Sequence, residues 1–191
     1  ASSSCTGCTA IAASASFPLW GARRAHYKVV ANLPYYITSA VVQHLLEAAI
    51  RPSQMVITVQ REVAKRMVAE LGDMSLLAVS LQFYGEPRIL FYLKRGAFYP
   101  VPKVESAVVR LDLYDAPPVP VTDIAGFFRV VKAGFAHRRK QLRNTLAAAL
   151  RLEPRDVEEV LTAVDVDPRR RAQTLAIGEW GRVVEALSPL L

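Results

Sequence analysis

Tyr27-Lys28-Val29-Val30-Ala31-Asn32-Leu33-Pro34-Tyr35-Tyr36-Ile37-Thr38-Ser39 is the stretch that decides how this chain folds. Its first five residues form a short apolar run of the kind that makes a buried strand. Asn32-Leu33-Pro34 ends that run, because proline fixes φ and has no N–H to give to a ladder. Thr38 or Ser39 then offers an N-cap to a helix whose apolar stripe is Val41, Val42, Leu45, Leu46 and Ala49. The same alternation continues outward. Residues 55–59 read as a second strand and 62–71 as a second helix, while 76–83 is helical by spacing and is closed by Gly85. Residues 88–93 and 104–113 read as two strands close together, the latter alternating Val108, Arg110, Asp112 against Val109, Leu111, Leu113. The expectation is an α/β fold, an open sheet with a terminal hairpin.

Beyond Asp115 the pattern changes. Ala116-Pro117-Pro118-Val119-Pro120-Val121-Thr122-Asp123 reads as a stiff linker. After it every periodic segment is helical: 123–136, 140–150, 154–164 and 177–187. Thr122 or Asp123 suits the start of the first, and Pro154 suits the start of the third. The expected organisation is therefore an α/β unit over 27–115 and a small all-helical unit over 116–191, with no internal repeat.

Composition bounds the function. Of 191 residues, 52% are hydrophobic and 21% charged, which excludes a disordered, collagen-like or coiled-coil chain. No apolar run approaches the roughly 18 residues of a membrane-spanning helix. A net charge of +7 favours an acidic partner such as nucleic acid, though it also fits an ordinary basic enzyme. The only cysteines are Cys5 and Cys8, so no disulfide framework is expected and a reduced, cytoplasmic setting is the default. They form a C-x-x-C without a second ligand pair, and a tetrahedral zinc site needs four ligands, so no metal is expected. Residues 1–26 are small, uncharged for most of their length and aperiodic. The expectation for them is a disordered segment foreign to the rest, with a transit peptide or a reading-frame artefact as competing origins.

The chemistry sits at the end of the first strand, where open α/β sheets bind ligands. Asn32 offers a neutral amide oxygen that accepts from an amine without protonating it. Pro34 steers the backbone so that the Leu33 carbonyl has a set direction. Tyr35 supplies a flat face for a base. Two acceptors and a platform suit an amine on a flat ring; the residues alone leave equally open a strand-end turn with a buried tyrosine.

Asn32-Leu33-Pro34-Tyr35-Tyr36-Ile37-Thr38-Ser39 resembles the catalytic motif of the ribosomal RNA adenine N6,N6-dimethyltransferases. Residues 60–66 (Q-R-E-V-A-K-R), 98–111 (F-Y-P-V-P-K-V-E-S-A-V-V-R-L), 135–146 (F-A-H-R-R-K-Q-L-R-N-T-L) and 171–175 (R-A-Q-T-L) resemble further motifs of that family in the same order. The resemblance covers about residues 27 to 187. Tyr35-Tyr36 and the F-A-H-R-R-K-Q-L-R-N stretch lean toward the small-subunit branch, which modifies two adjacent adenines near the 3′ end of 16S RNA. The alternatives are the related large-subunit adenine methylases of macrolide resistance and a non-catalytic RNA-binding or assembly factor.

The resemblance implies a partial Rossmann-like methyltransferase sheet followed by a helical RNA-binding domain. It also implies transfer of a methyl group from S-adenosylmethionine to the exocyclic amine of adenine. Asn32 and the Leu33 carbonyl would accept the amine hydrogens, Pro34 would hold that geometry, Tyr35 would stack on the flipped base, and Phe98 would form the second wall. Read without the family, Phe98 is a core residue before a proline-stiffened turn. Asn32 is the one cofactor contact the resemblance carries over. The family's glycine-rich turn and its two cofactor acids have no counterpart before Asn32, so the chain as written is expected to bind S-adenosylmethionine poorly and to be inactive alone. Lys103, His137, Arg138, Arg139, Lys140 and Arg143 are the expected contacts to small-subunit RNA or the 30S particle, held as phosphate contacts that should be salt-sensitive and indifferent to sequence. Glu62, Lys65 and Arg66, at i, i+3 and i+4, read as a surface ion-pair stripe or as further RNA contacts. A monomer is expected.

Overall fold

The computed structural model describes residues 27–191. The Cys5/Cys8 pair and the expectations about residues 1–26 lie outside the described residues. Four strands, β1 (Lys28–Asn32), β2 (Gln54–Gln60), β3 (Gly85–Leu93) and β4 (Ser106–Leu113), form one sheet in the order β1-β2-β4-β3. Strands β1 and β2 are parallel and linked through helix α1 (Thr38–Glu47). Between β2 and β3 run α2 (Arg61–Met67) and α3 (Leu76–Tyr84). The expected hairpin is there, but β4 inserts between β2 and β3 and is antiparallel to both. Alternation along β4 explains the insertion: Ala107, Val109, Leu111 and Leu113 are all buried, as is Val108 on the other face, so this strand belongs in the sheet's centre. At the described sheet's edge, β1 turns Val29 and Ala31 to the core and leaves Lys28, Val30 and Asn32 exposed.

Two local expectations need correction. Ile37, not Thr38 or Ser39, is the N-cap of α1; the Thr38 hydroxyl instead donates to the Pro34 carbonyl at 3.2 Å, a backward bond that ties the helix to the turn before it. Helix α2 stops at Met67 rather than running to 71, and Leu71 stands 64% exposed in the following turn. Gly72 lies there at φ +103, a conformation that a helix cannot continue through.

Helices α4 (Ile124–Gly134), α5 (Leu142–Leu150), α6 (Pro154–Ala163) and α7 (Ile177–Leu187) make the helical unit. Pro154 stands at the first turn of α6 as expected, where its missing N–H costs nothing. The proline-rich connection packs down: Val119 is buried against Gly181 of α7, where an added Cβ would meet the valine at 3.1 Å. Core contacts run unbroken from the sheet into the helices. At the junction the Phe83 ring of α3 stacks on Phe127 of α4 with centroids 4.6 Å apart, and Phe128 meets it edge-on at 5.2 Å.

The loop before α7 is closed by one ion pair. Arg170 forks onto Glu179, with Nη1–Oε1 at 2.5 Å and Nη2–Oε2 at 3.0 Å, and Glu179 also accepts from the Ala176 N–H at 2.7 Å. These bonds, Arg170 first, hold the Glu179 carboxyl below its ordinary value of 4.5 against the opposing effect of burial. A depressed folded value means that the stabilisation is present above the unfolded value and lost as pH falls through the folded one. Glu179→Gln should therefore lower stability by about 1–2 kcal/mol at neutral pH and flatten its acid limb. Urea midpoints measured between neutral pH and pH 3 check this: parallel curves for the two proteins would contradict it.

Candidate active site

The carboxyl end of β1 opens into a cavity of about 310 Å³, lined by Asn32, Leu33, Pro34 and Tyr35 on one side and by Phe98, Tyr99, Pro100 and Pro102 on the other. The five residues expected to hold a base thus share one cavity. Asn32 is the last residue of β1, paired in register with Thr58 of β2, so its backbone is fixed by the sheet while its side chain is exposed. Its amide has no side-chain partner among the described residues. The two carbonyls after it have different roles. That of Pro34 accepts the Ile37 N–H at 3.1 Å and the Thr38 hydroxyl, which anchors the turn. That of Leu33 accepts no turn or loop hydrogen bond among the described residues, which leaves it open to a donor on a ligand.

Tyr35 is half-buried, and its hydroxyl lies 2.6 Å from the hydroxyl of Ser106, which is fully buried at the start of β4. That bond ties the ring to the strand next to β2 and limits how far it can tilt. Ser106 carries no signal as a site residue in the sequence; it would pass for an ordinary strand-end serine. Tyr36, by contrast, is 88% exposed and does not line the cavity.

Phe98 follows a single 3-10 turn (Arg95–Ala97) and is half-buried on the cavity, not in the core. Tyr99, which the sequence does not single out, is fully exposed at the rim. The Pro100 and Pro102 loop returns to β4 through Glu105, whose carboxylate pairs with Arg61 and whose carbonyl accepts the Arg61 N–H at 3.0 Å. The Arg61 guanidinium also lies 5.3 Å from the centre of the Tyr92 ring. Two of the quoted motifs, around 61 and around 105, are thus locked together beside the cavity.

Among the described residues no charged side chain lines the cavity, and the polar side chains there are one amide, Asn32, and two phenols, Tyr35 and Tyr99. Such a lining suits a neutral, flat ring carrying an exocyclic amine, with aromatic faces for stacking and acceptors for its hydrogens. None of the described lining residues is a carboxylate. Among the described residues no cluster of three or more histidines, cysteines or acids could hold a metal ion, and no helix is long and apolar enough to cross a membrane.

The expected RNA contacts fall in two places. Lys103 is exposed in the loop just beyond the cavity, while His137, Arg138, Arg139 and Lys140 form an exposed turn between α4 and α5. Arg143 differs from these: its Nη1 donates to Glu158 of α6 at 2.6 Å, so it braces two helices. Of the stripe on α2, Lys65 and Glu62 pair at 3.5 Å on the surface.

A family model described as ribosomal RNA adenine dimethylase matches residues 18–188. The chain is 48% identical over 154 residues to the ribosomal RNA small subunit methyltransferase A of Dehalococcoides mccartyi, a match that covers 81% of this chain and 53% of that relative. It is 44% identical over 171 residues to the protein of the same name from Desulfitobacterium hafniense, covering 88% and 60%. The chain spans about half the length of the curated relatives it matches. Among solved structures it is similar in fold to a dimethyladenosine transferase from Plasmodium falciparum, with a TM-score of 0.74, 19% identity, and coverage of 85% of this chain and 67% of that one. It is also similar to the 23S rRNA methyltransferase ErmE, with a TM-score of 0.64, 27% identity, and coverage of 88% and 69%.

Proposed function

The chain belongs to the ribosomal RNA adenine dimethylase family, and on that premise we propose that it supplies the adenine-holding and RNA-contacting side of an N6,N6-dimethylation of adjacent adenines near the 3′ end of small-subunit RNA. The observation that carries the reading is the meeting of Asn32, the Leu33 carbonyl, Tyr35 and Phe98 in one cavity, uncharged among the described residues, at a strand's carboxyl end. S-adenosylmethionine supplies the methyl group as a sulfonium electrophile, and Asn32 is the residue that would hold its methionine end. The small-subunit RNA is the partner, the cytoplasm the compartment, and the protein acts as a monomer.

An adenine enters by leaving its stack, at a cost of a few kcal/mol that stacking between Tyr35 and Phe98 offsets at about 1–3 kcal/mol per base. Its amine is a poor nucleophile because the lone pair is delocalised into the ring. Asn32 and the Leu33 carbonyl accept the two hydrogens, which favours a pyramidal nitrogen and aims the lone pair out of the ring plane. Holding that geometry is an orientation effect, and such effects supply up to roughly 7–11 kcal/mol. The two fixed dipoles also stabilise the positive charge that develops on nitrogen. Once cationic, the nitrogen is acidic enough to lose its proton to water, so the step needs no carboxylate in the lining. After one transfer a single N–H remains to be held; after two none does, and the product loses both bonds.

Incubation of the full-length protein with S-adenosylmethionine and unmethylated small-subunit particles, followed by primer extension, tests this reading. Stops are expected at adjacent adenines near the 3′ end. Stops on large-subunit RNA alone would favour the macrolide-resistance type of activity, and RNA binding without any stop would make the protein a non-catalytic binder.

A further inference from the structure

Three cationic side chains on the helical unit have no part in the site described above. Arg129 and Lys132 stand one turn apart on α4, and Arg151 follows the end of α5. Together they border a cavity of about 440 Å³ that is otherwise lined by Ala133, Ala136, Ala149, Leu150, Leu190 and Leu191. All three are exposed, and among the described residues none has an ion-pair or side-chain hydrogen-bond partner, unlike Arg143 and Arg170. Arg129 also borders a second hollow lined by Asp123 and Glu185, yet pairs with neither. Like charges around one concavity repel until an anion enters, and they focus potential there.

Arg151 adds an independent observation. Its backbone is left-handed, at φ 60 and ψ 41, with the Leu152 N–H reaching back to the Ala147 carbonyl at 3.0 Å. This is a helix-ending motif whose left-handed position strongly favours glycine. An arginine there keeps its guanidinium on the cavity while its backbone is strained. Ala136 of the lining is, in turn, the residue immediately before the exposed His137–Lys140 turn.

We propose that this cavity seats a backbone phosphate of the RNA substrate, with Arg129, Lys132 and Arg151 as a three-point cradle that extends the 137–140 turn into one basic track. The inference rests on the RNA-binding reading given above. The alanines and leucines between the three cations offer nothing to read a base edge, so the contact adds affinity without sequence preference.

Anisotropy titrations of a labelled 3′-end fragment of small-subunit RNA over a range of salt, with thermal melts of the same proteins, test the cradle. The Arg129→Gln, Lys132→Gln double variant should bind about tenfold more weakly, with a log–log salt slope lower by about 1–2. Arg151→Gly should melt roughly 2–4 °C higher, as strain is relieved, and yet bind RNA several-fold more weakly. Arg151→Lys should restore binding without the gain in melting temperature. RNA affinity and salt slope equal to wild type in both the double variant and Arg151→Gly would overturn the proposal. So would a melt in which inorganic phosphate stabilises the wild type alone while RNA binding is unchanged, since the cavity would then hold free anions. If Arg138→Gln, Arg139→Gln weakens binding and the cradle variants do not, the RNA-binding reading stands and the cradle falls; if the wild type binds no RNA, both fall.

Discussion

Asn32→Ala lowers methyl incorporation from S-adenosylmethionine into unmethylated small-subunit particles by roughly a hundred- to a thousandfold in the full-length protein, a loss typical of removing one preorganised dipole from a reacting centre. RNA affinity should fall by no more than about tenfold, because phosphate contacts dominate binding. Asn32 is anchored by the β1–β2 ladder, and its amide is free among the described residues, so alanine removes an acceptor without disturbing a bond that holds the fold. Asn32→Asp keeps an acceptor in place and adds a charge that suits a cationic nitrogen; it should retain more activity than alanine. Single-turnover rates at saturating RNA separate these effects from binding. Equal losses for Ala and Asp, or a loss that appears only in KM, would mean that the residue acts in some other way.

Phe127→Ala should remove about 3–5 kcal/mol of stability, the range for deleting a buried aromatic side chain. Phe127 is fully buried and stacks on Phe83, at the one place where α3 of the sheet unit meets α4 of the helical unit. With a urea slope of about 2 kcal/mol per molar, the midpoint falls by about 1.5–2.5 M, a large share of the stability of an ordinary domain. Phe127→Leu keeps most of the volume and should cost less than about 1.5 kcal/mol. Because core contacts run unbroken across the junction, backbone and aromatic circular dichroism should report one shared transition. Separate transitions for sheet and helices would show that the junction does not couple them.

Strand positions and the four late helices were legible because apolar period and proline stops are local signals. Asn32-Leu33-Pro34 ends a strand whatever lies beside it, and Pro154 opens a helix for the same reason. The place of β4 was not legible, since its insertion between β2 and β3 depends on which strands offer burial on both faces, a property of partners rather than of its own residues. Thr38 misled for a related reason: a hydroxyl near a helix start bonds either forward to the helix or back to a carbonyl, and the proline turn left the Pro34 carbonyl within reach. The site split the same way. Asn32 and Tyr35 are suggested by residue type at a strand's end and Phe98 only by the family resemblance, whereas Ser106 acquires its role only from the distance to Tyr35. Arg151 is a third case, because nothing in an isolated Leu-Arg-Leu marks a left-handed arginine.

The central claim, that Asn32 and the Leu33 carbonyl grip the hydrogens of an adenine amine, is tested most directly by crossing the protein variant with the base. Short RNAs carrying adenine, purine or N6,N6-dimethyladenine at the target position are titrated against wild-type and Asn32→Ala proteins. Wild type should prefer adenine over both analogues by about tenfold or more, since each analogue covers an acceptor without pairing it, and Asn32→Ala should lose most of that preference. A preference of the same size in both proteins would show that the amide does not touch the amine, and the account would be wrong at its centre.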